Sequence, residues 1–123
     1  MVEKFKKILE KIKNDKGTVA VFSIVKMDEI TDKWSVILSA SWVTTENLTE
    51  IFNYLRKILI TSLTKEEASS IARLSIFTTD EHLVQLILGS VSVQNGAEIN
   101  LKDTTMNGYK IHEAYIFESN KAG

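Results

Sequence analysis

The chain has 123 residues, 44% of them apolar and 25% charged, with a formal net charge of −1. That length fits one domain, 1–123, large enough to bury a core without staples. The absence of cysteine excludes disulfides, thiolate zinc sites and thiol nucleophiles, and the balanced charge argues against a dedicated nucleic-acid domain.

The chain opens on "MVEKFKKILEKIKNDK". Val2, Phe5, Ile8, Leu9 and Ile12 recur at helical spacing and predict a first helix with one narrow apolar stripe. Lys4, Lys7 and Lys11 flank the stripe on one side, Lys6 and Lys13 on the other, and Gly17 is a C-terminal stop. The segment has no long apolar core and carries Glu3 and Glu10, so it does not read as a secretory signal. The longest mostly apolar run, "HLVQLILGSVSV", is too short to span a bilayer. A cytoplasmic location with no membrane contact is expected.

"TVAVFSIVK" (18–26) is apolar on both alternating faces, which predicts a strand covered on both sides. "MDEITDK" (27–33) is a polar turn. In "WSVILSASW" (34–42), Trp34, Val36, Leu38, Ala40 and Trp42 alternate with Ser35, Ile37, Ser39 and Ser41. Period two predicts a second strand with both tryptophans on one face, paired with the first as a hairpin.

Val43 and Leu48 stand at staple positions around a Thr44 cap, and an apolar face from Leu48 to Leu63 predicts a second helix. "TKEE" (64–67) is a capping box that opens a short helical turn, "ARLSIF" (72–77) reads as a third strand, and "TTDE" (78–81) is a second capping box. The helix it opens is apolar around most of its circumference, with His82, Gln85, Gly89 and Ser92 as the polar or small strip, so it should be buried on most sides.

"EINLKDTTM" and "YKIHEAYIF" flank Asn107-Gly108, a strong signal for a two-residue hairpin turn. That turn sets Ile99 opposite Ile116, Leu101 opposite Ala114, Lys102 opposite Glu113 and Asp103 opposite His112. Tyr109, Ile111, Tyr115 and Phe117 would then share the other face. Residues 118–123 read as a flexible tail. The element order αββα(α)βαββ predicts an α+β domain, built on a single mixed, mainly antiparallel sheet of about five strands with helices packed on it. The second helix and the apolar helix are expected on one face.

Three groups could carry function. Thr44 and Thr45, and Thr78 and Thr79, each precede a helix, where free N–H groups favour anions. Parallel strands would bring both junctions to one sheet end, although Glu46, Asp80 and Glu81 already occupy the favourable charge positions. His112 beside Asp103 is the candidate catalytic pair, an oriented base or simply a surface ion pair. No metal set is expected: Asp80, Glu81 and His82 are consecutive and point in different directions, and no cofactor motif is present. Tyr109, Ile111, Tyr115 and Phe117 are the interface candidates. Together with the tryptophans and the apolar helix they offer more apolar surface than the chain can cover. The favoured expectation is a non-enzymatic protein–protein interaction module that self-associates as a homodimer, through the outer face of the last hairpin or a sheet edge beside it. The alternatives are a small enzyme or anion-binding protein at the threonine junctions, and a weak nucleic-acid binder through the lysines of the first helix.

Overall fold

Helices and strands follow the expected order in the structure, a computed structural model that describes residues 1–27, 33–106 and 108–123. They are α1 (Val2–Lys16), β1 (Val21–Met27), β2 (Trp34–Ser39), α2 (Leu48–Ser62), α3 (Lys65–Ser69), β3 (Ile71–Phe77), α4 (His82–Ser90), β4 (Ile99–Met106) and β5 (Tyr109–Ser119). The strands form one sheet in the order β3-β2-β1-β5-β4. Only the β2–β3 pairing is parallel. The fold is α+β, with a mixed, mostly antiparallel five-stranded sheet. Most of the polar turn expected at 27–33, and Asn107 of the expected hairpin turn, lie outside the described residues. Gly108 has φ 89°, as such a turn requires.

The central position of β1 explains its two-sided apolar sequence. Phe22 and Ile24 face one layer, Val21 and Val25 the other. α1 and α2 cover the first face. Phe5, Ile8, Leu9 and Ile12 of α1 meet Phe22 and Phe117, and the rings of Phe5, Phe22 and Phe117 lie 5.9–6.1 Å apart. All three phenylalanines are fully buried, each contributing roughly 1.5–3 kcal/mol by removal from water. Tyr54 of α2 ties the two helices together by donating to Asp15 at 2.7 Å. Burial and then the Asp15 carboxylate push the Tyr54 hydroxyl upward.

α4 packs on the opposite face, burying Val84, Ile87 and Leu88 against Val21, Val25, Ile37 and Ile116. This corrects the expectation that α2 and the apolar helix share one face. β3 and β4 are the two sheet edges, so the connection between them must cross the whole sheet, and one face is already filled by α1 and α2. Its polar strip is as expected: His82, Gln85 and Gly89 are exposed.

The last hairpin has the expected register, with Ile99↔Ile116, Leu101↔Ala114, Lys102↔Glu113 and Met106↔Tyr109. The four residues assigned to its other face do not stay together. β5 skips one residue against β1 at His112 and another at Phe117. Each bulge shifts the phase of the alternation. Ile111 therefore joins Ala114 and Ile116 under α4, whereas Tyr115 and Phe117 face α1. The second bulge also turns Glu118, the partner of Phe22, into the α1 layer, where Lys13 reaches it at 3.4 Å. Glu118 and Ser119, expected in a loose tail, are buried residues of β5.

β2 ends at Ser39, so Trp42 lies beyond the strand. It still packs on the same layer as Trp34, half-buried, with its indole N–H on the Thr18 carbonyl at 2.8 Å. The loop after it is tied by Asn47, whose side chain accepts from the Thr44 N–H and donates to the Trp42 carbonyl. Those bonds hold residues 44–47 in their own turn. Asn47 is consequently the N-cap of α2, and Thr44 does not cap it. α4 starts after Glu81 with no side-chain cap, since Thr78 donates to Asp80 instead. Thr64, by contrast, forms the full capping box with Glu67.

Candidate interaction surface

The two sheet edges are built differently. β4 is interrupted by Asp103, a non-glycine residue at φ 46°, and carries Lys102 and Asp103 in mid-strand. Kinks and charges of this kind keep an edge from pairing with other chains. β3, of sequence IARLSIF, has one charge, no lysine, no proline and no positive φ; its register with β2 shifts once, at Ala72, and then runs unbroken from Arg73 to Phe77. Its inner edge pairs with β2. Among the described residues, no backbone hydrogen bond runs from its outer edge to another element.

α2 runs beside this edge and leaves a groove of about 330 Å³. α2 supplies Phe52, Arg56 and Ile60, and β3 supplies Ile71, Arg73 and Leu74. A second hollow of about 390 Å³ continues along Leu74–Phe77 beneath Leu48 and Phe52. Phe52 is 37% exposed and Ile60 55%. With Tyr109 they are the only large hydrophobic residues that stand exposed among those described. Two of three thus flank the unguarded edge.

The groove is also basic. The chain has 15 cationic side chains, of which only Arg56 and Arg73 are arginine; Arg56 lines this groove from α2, Arg73 borders it from the strand edge with its register partner Ser35 on the α4 face, and among the described residues no carboxylate lines it. Neither has a hydrogen-bond or ion-pair partner among the described residues. Arg73 also borders a cavity on the α4 side, which Glu81 shares without forming an ion pair.

The residues singled out from sequence fall elsewhere. β2 and β3 are parallel, so Thr44, Thr45, Thr78 and Thr79 do lie at one end of the sheet. The helices that follow them belong to opposite layers, and neither begins at a threonine. The four hydroxyls therefore do not face one helix N-terminus. His112 and Asp103 do meet, Nδ1 to Oδ1 at 3.5 Å, but both are largely exposed, at 63% and 79%. No nucleophile or enclosed cavity adjoins them in the described contacts. Of the interface candidates, Ile111 and Phe117 are buried in the chain's own two cores, and Tyr115 stacks on Phe117 and meets Trp34 at a tilt. Tyr109 alone is exposed, with its ring near His82.

Several lysines of α1 are met by carboxylates: Lys4 by Glu67 at 2.6 Å, Lys6 by Glu98 at 2.7 Å and Lys11 by Asp15 at 3.2 Å. α1 thus carries a salt-bridged face, not a continuous bare basic stripe. Among the described residues there is no group of three or more His, Cys, Asp or Glu placed to hold a metal, and no helix long and apolar enough to cross a membrane.

The β3 edge was not singled out from sequence, because nothing in chain order says which strand ends at an edge. One signal was available: the only two arginines lie 17 positions apart, on the helix and strand of one crossover. No family model matches the chain, and neither a curated protein nor a solved structure matches it.

Proposed function

We propose that this protein is a non-enzymatic interaction module that accepts a partner strand at its β3 edge. The observation that carries this reading is the contrast between the β4 edge, kinked and charged in mid-strand, and the nearly uncharged β3 edge, whose one register shift, at Ala72, lies near its start. Strand addition supplies affinity through main-chain hydrogen bonds and specificity through alternate side-chain pockets. The groove between α2 and β3 offers such pockets. Panning a displayed random-peptide library on the folded protein tests the reading. Selected peptides should slow amide exchange across Arg73–Phe77, where β3 pairs with β2 without a break. Peptides that protect only other elements would refute it.

A second copy of the chain is the symmetric form of the same contact. Two β3 strands paired antiparallel about Leu74 would set Arg73 opposite the partner's Ser75, avoiding a direct Arg–Arg pair, and closed two-fold dimers are the commonest oligomers. Light scattering across a concentration series tests this reading. A doubling of mass supports it, and a constant monomer mass removes it.

A further inference from the structure

We infer that the β3 edge is built for an extended segment that carries a carboxylate between two apolar residues, in the pattern apolar-x-acid-x-apolar; this rests on the strand-addition reading above. Phe52, Arg56 and Ile60 stand at i, i+4 and i+8 on α2, which puts them in one row beside the groove. Four helical residues advance about 6 Å. Alternate side chains of a strand advance about 6.6 Å. A strand laid against β3 would therefore present every second side chain to successive members of that row. The outer two positions meet exposed apolar surface and the middle one meets a guanidinium.

The choice of cation points the same way. Elsewhere the chain uses lysine, a hydrated point charge. Of its only two arginines, Arg56 stands in this groove and Arg73 at the strand edge beside it, neither side chain with a partner among the described residues. Arginine's planar fork matches a carboxylate with two parallel hydrogen bonds, which lysine cannot reproduce. Arg73, on β3 itself, adds positive charge at the strand edge and borders the cavity on the opposite face.

A second copy fits the charge poorly. Its β3, Ile71–Phe77, contains no acid. Pairing two copies would gather two pairs of arginines along one seam whose groove lining holds no carboxylate among the described residues. The occupant the charges favour is a different, acidic segment.

The test uses the labelled peptide TVTETVT and its isostere TVTQTVT, titrated against the full chain by fluorescence anisotropy. The glutamate peptide should bind roughly tenfold tighter or better, the worth of one charge-assisted pair. That preference should vanish in Arg56→Gln and fall in Arg56→Lys, which keeps the charge but not the fork. Arg56 is exposed, so neither change should alter the unfolding midpoint. Equal binding of both peptides, with β3 amides protected, overturns the carboxylate inference and leaves strand addition standing. A glutamate preference that survives in Arg56→Gln overturns it as well. Binding of neither peptide also overturns it, and concentration-dependent doubling of the free protein's mass would then give the edge to a second copy.

Discussion

Replacing Lys13 by methionine should destabilise the domain far more than its surface position suggests. Glu118 is 2% exposed, and Lys13, 36% exposed, is the only cation within ion-pair distance of it among the described residues. No other hydrogen bond to the Glu118 carboxylate is found among those residues. Removing one partner of a fully buried pair costs about 3–5 kcal/mol, because the other charge is left without compensation. An exposed pair is worth about 0.2–1 kcal/mol. This pair is buried at the acid and half-open at the amine, so we expect about 2–3 kcal/mol. With a urea slope of about 1.5 kcal/mol/M, the midpoint should fall by roughly 1.3–2 M, followed by tryptophan fluorescence. Lys11→Met is the internal control. Its pair with Asp15 is one helical turn apart and exposed, so the change should stay within about 0.5 kcal/mol. Joining Lys13→Met to Glu118→Leu removes both charges, and such replacements are often neutral or stabilising. The double variant should therefore recover most of the loss. A Lys13→Met midpoint no lower than that of Lys11→Met would refute the reasoning, as would a double variant no better than the single one.

The remaining predictions concern the helix termini. Thr64→Ala breaks the capping box of α3 and should cost about 0.5–2 kcal/mol in urea unfolding, whereas Thr44→Ala, away from any cap, should be close to neutral. Gly17 ends α1 at φ 114° and ψ −165°, a region almost restricted to glycine, so Gly17→Ala should cost about 1–3 kcal/mol; a new Cβ would meet Trp42 only at 3.8 Å, so the loss is backbone strain, not a clash. Lys4 first, then the Thr64 N–H, lower the Glu67 carboxyl from 4.5 to about 2. A folded-state value below the unfolded one contributes stability above about pH 4.5 that is lost as pH falls through about 2. The stability gap between the wild type and Glu67→Gln should accordingly close between those values, and a gap constant with pH would refute it.

Local patterns were legible wherever a single periodicity ran unbroken. The α1 stripe, the two-sided β1 and the hairpin register all follow from residue spacing, because each depends on near neighbours and one turn. Legibility failed where one residue changed the phase. Neither His112 nor Phe117 carries a mark of a bulge, yet each moves everything beyond it to the other face of β5. Helix starts failed for a related reason. Thr44 and Thr78 had the right chemistry for caps, but Asn47 and Asp80 competed for the same short-range hydrogen bonds and won. The interaction surface was the least legible feature. It is made of α2 and the strand that happens to be outermost, and strand order is a property of the assembled sheet.

The position of β5 has a consequence for how the chain reaches this state. The last of the five strands in chain order lies inside the sheet, between β1 and β4, and pairs Ser119 with Val21 across 98 positions of sequence. Bringing such distant segments together is slow, since most of the chain's freedom is lost before the contact rewards it. During synthesis β1, β2, α2 and β3 can assemble first, as a half-sheet whose apolar inner strand is uncovered. α1 has no Phe117 to stack on until the end. The sheet is therefore completed only when β5 inserts between β1 and β4. Until it does, β1 has one unpaired flank, the kind of strand edge that makes partly folded chains prone to aggregate.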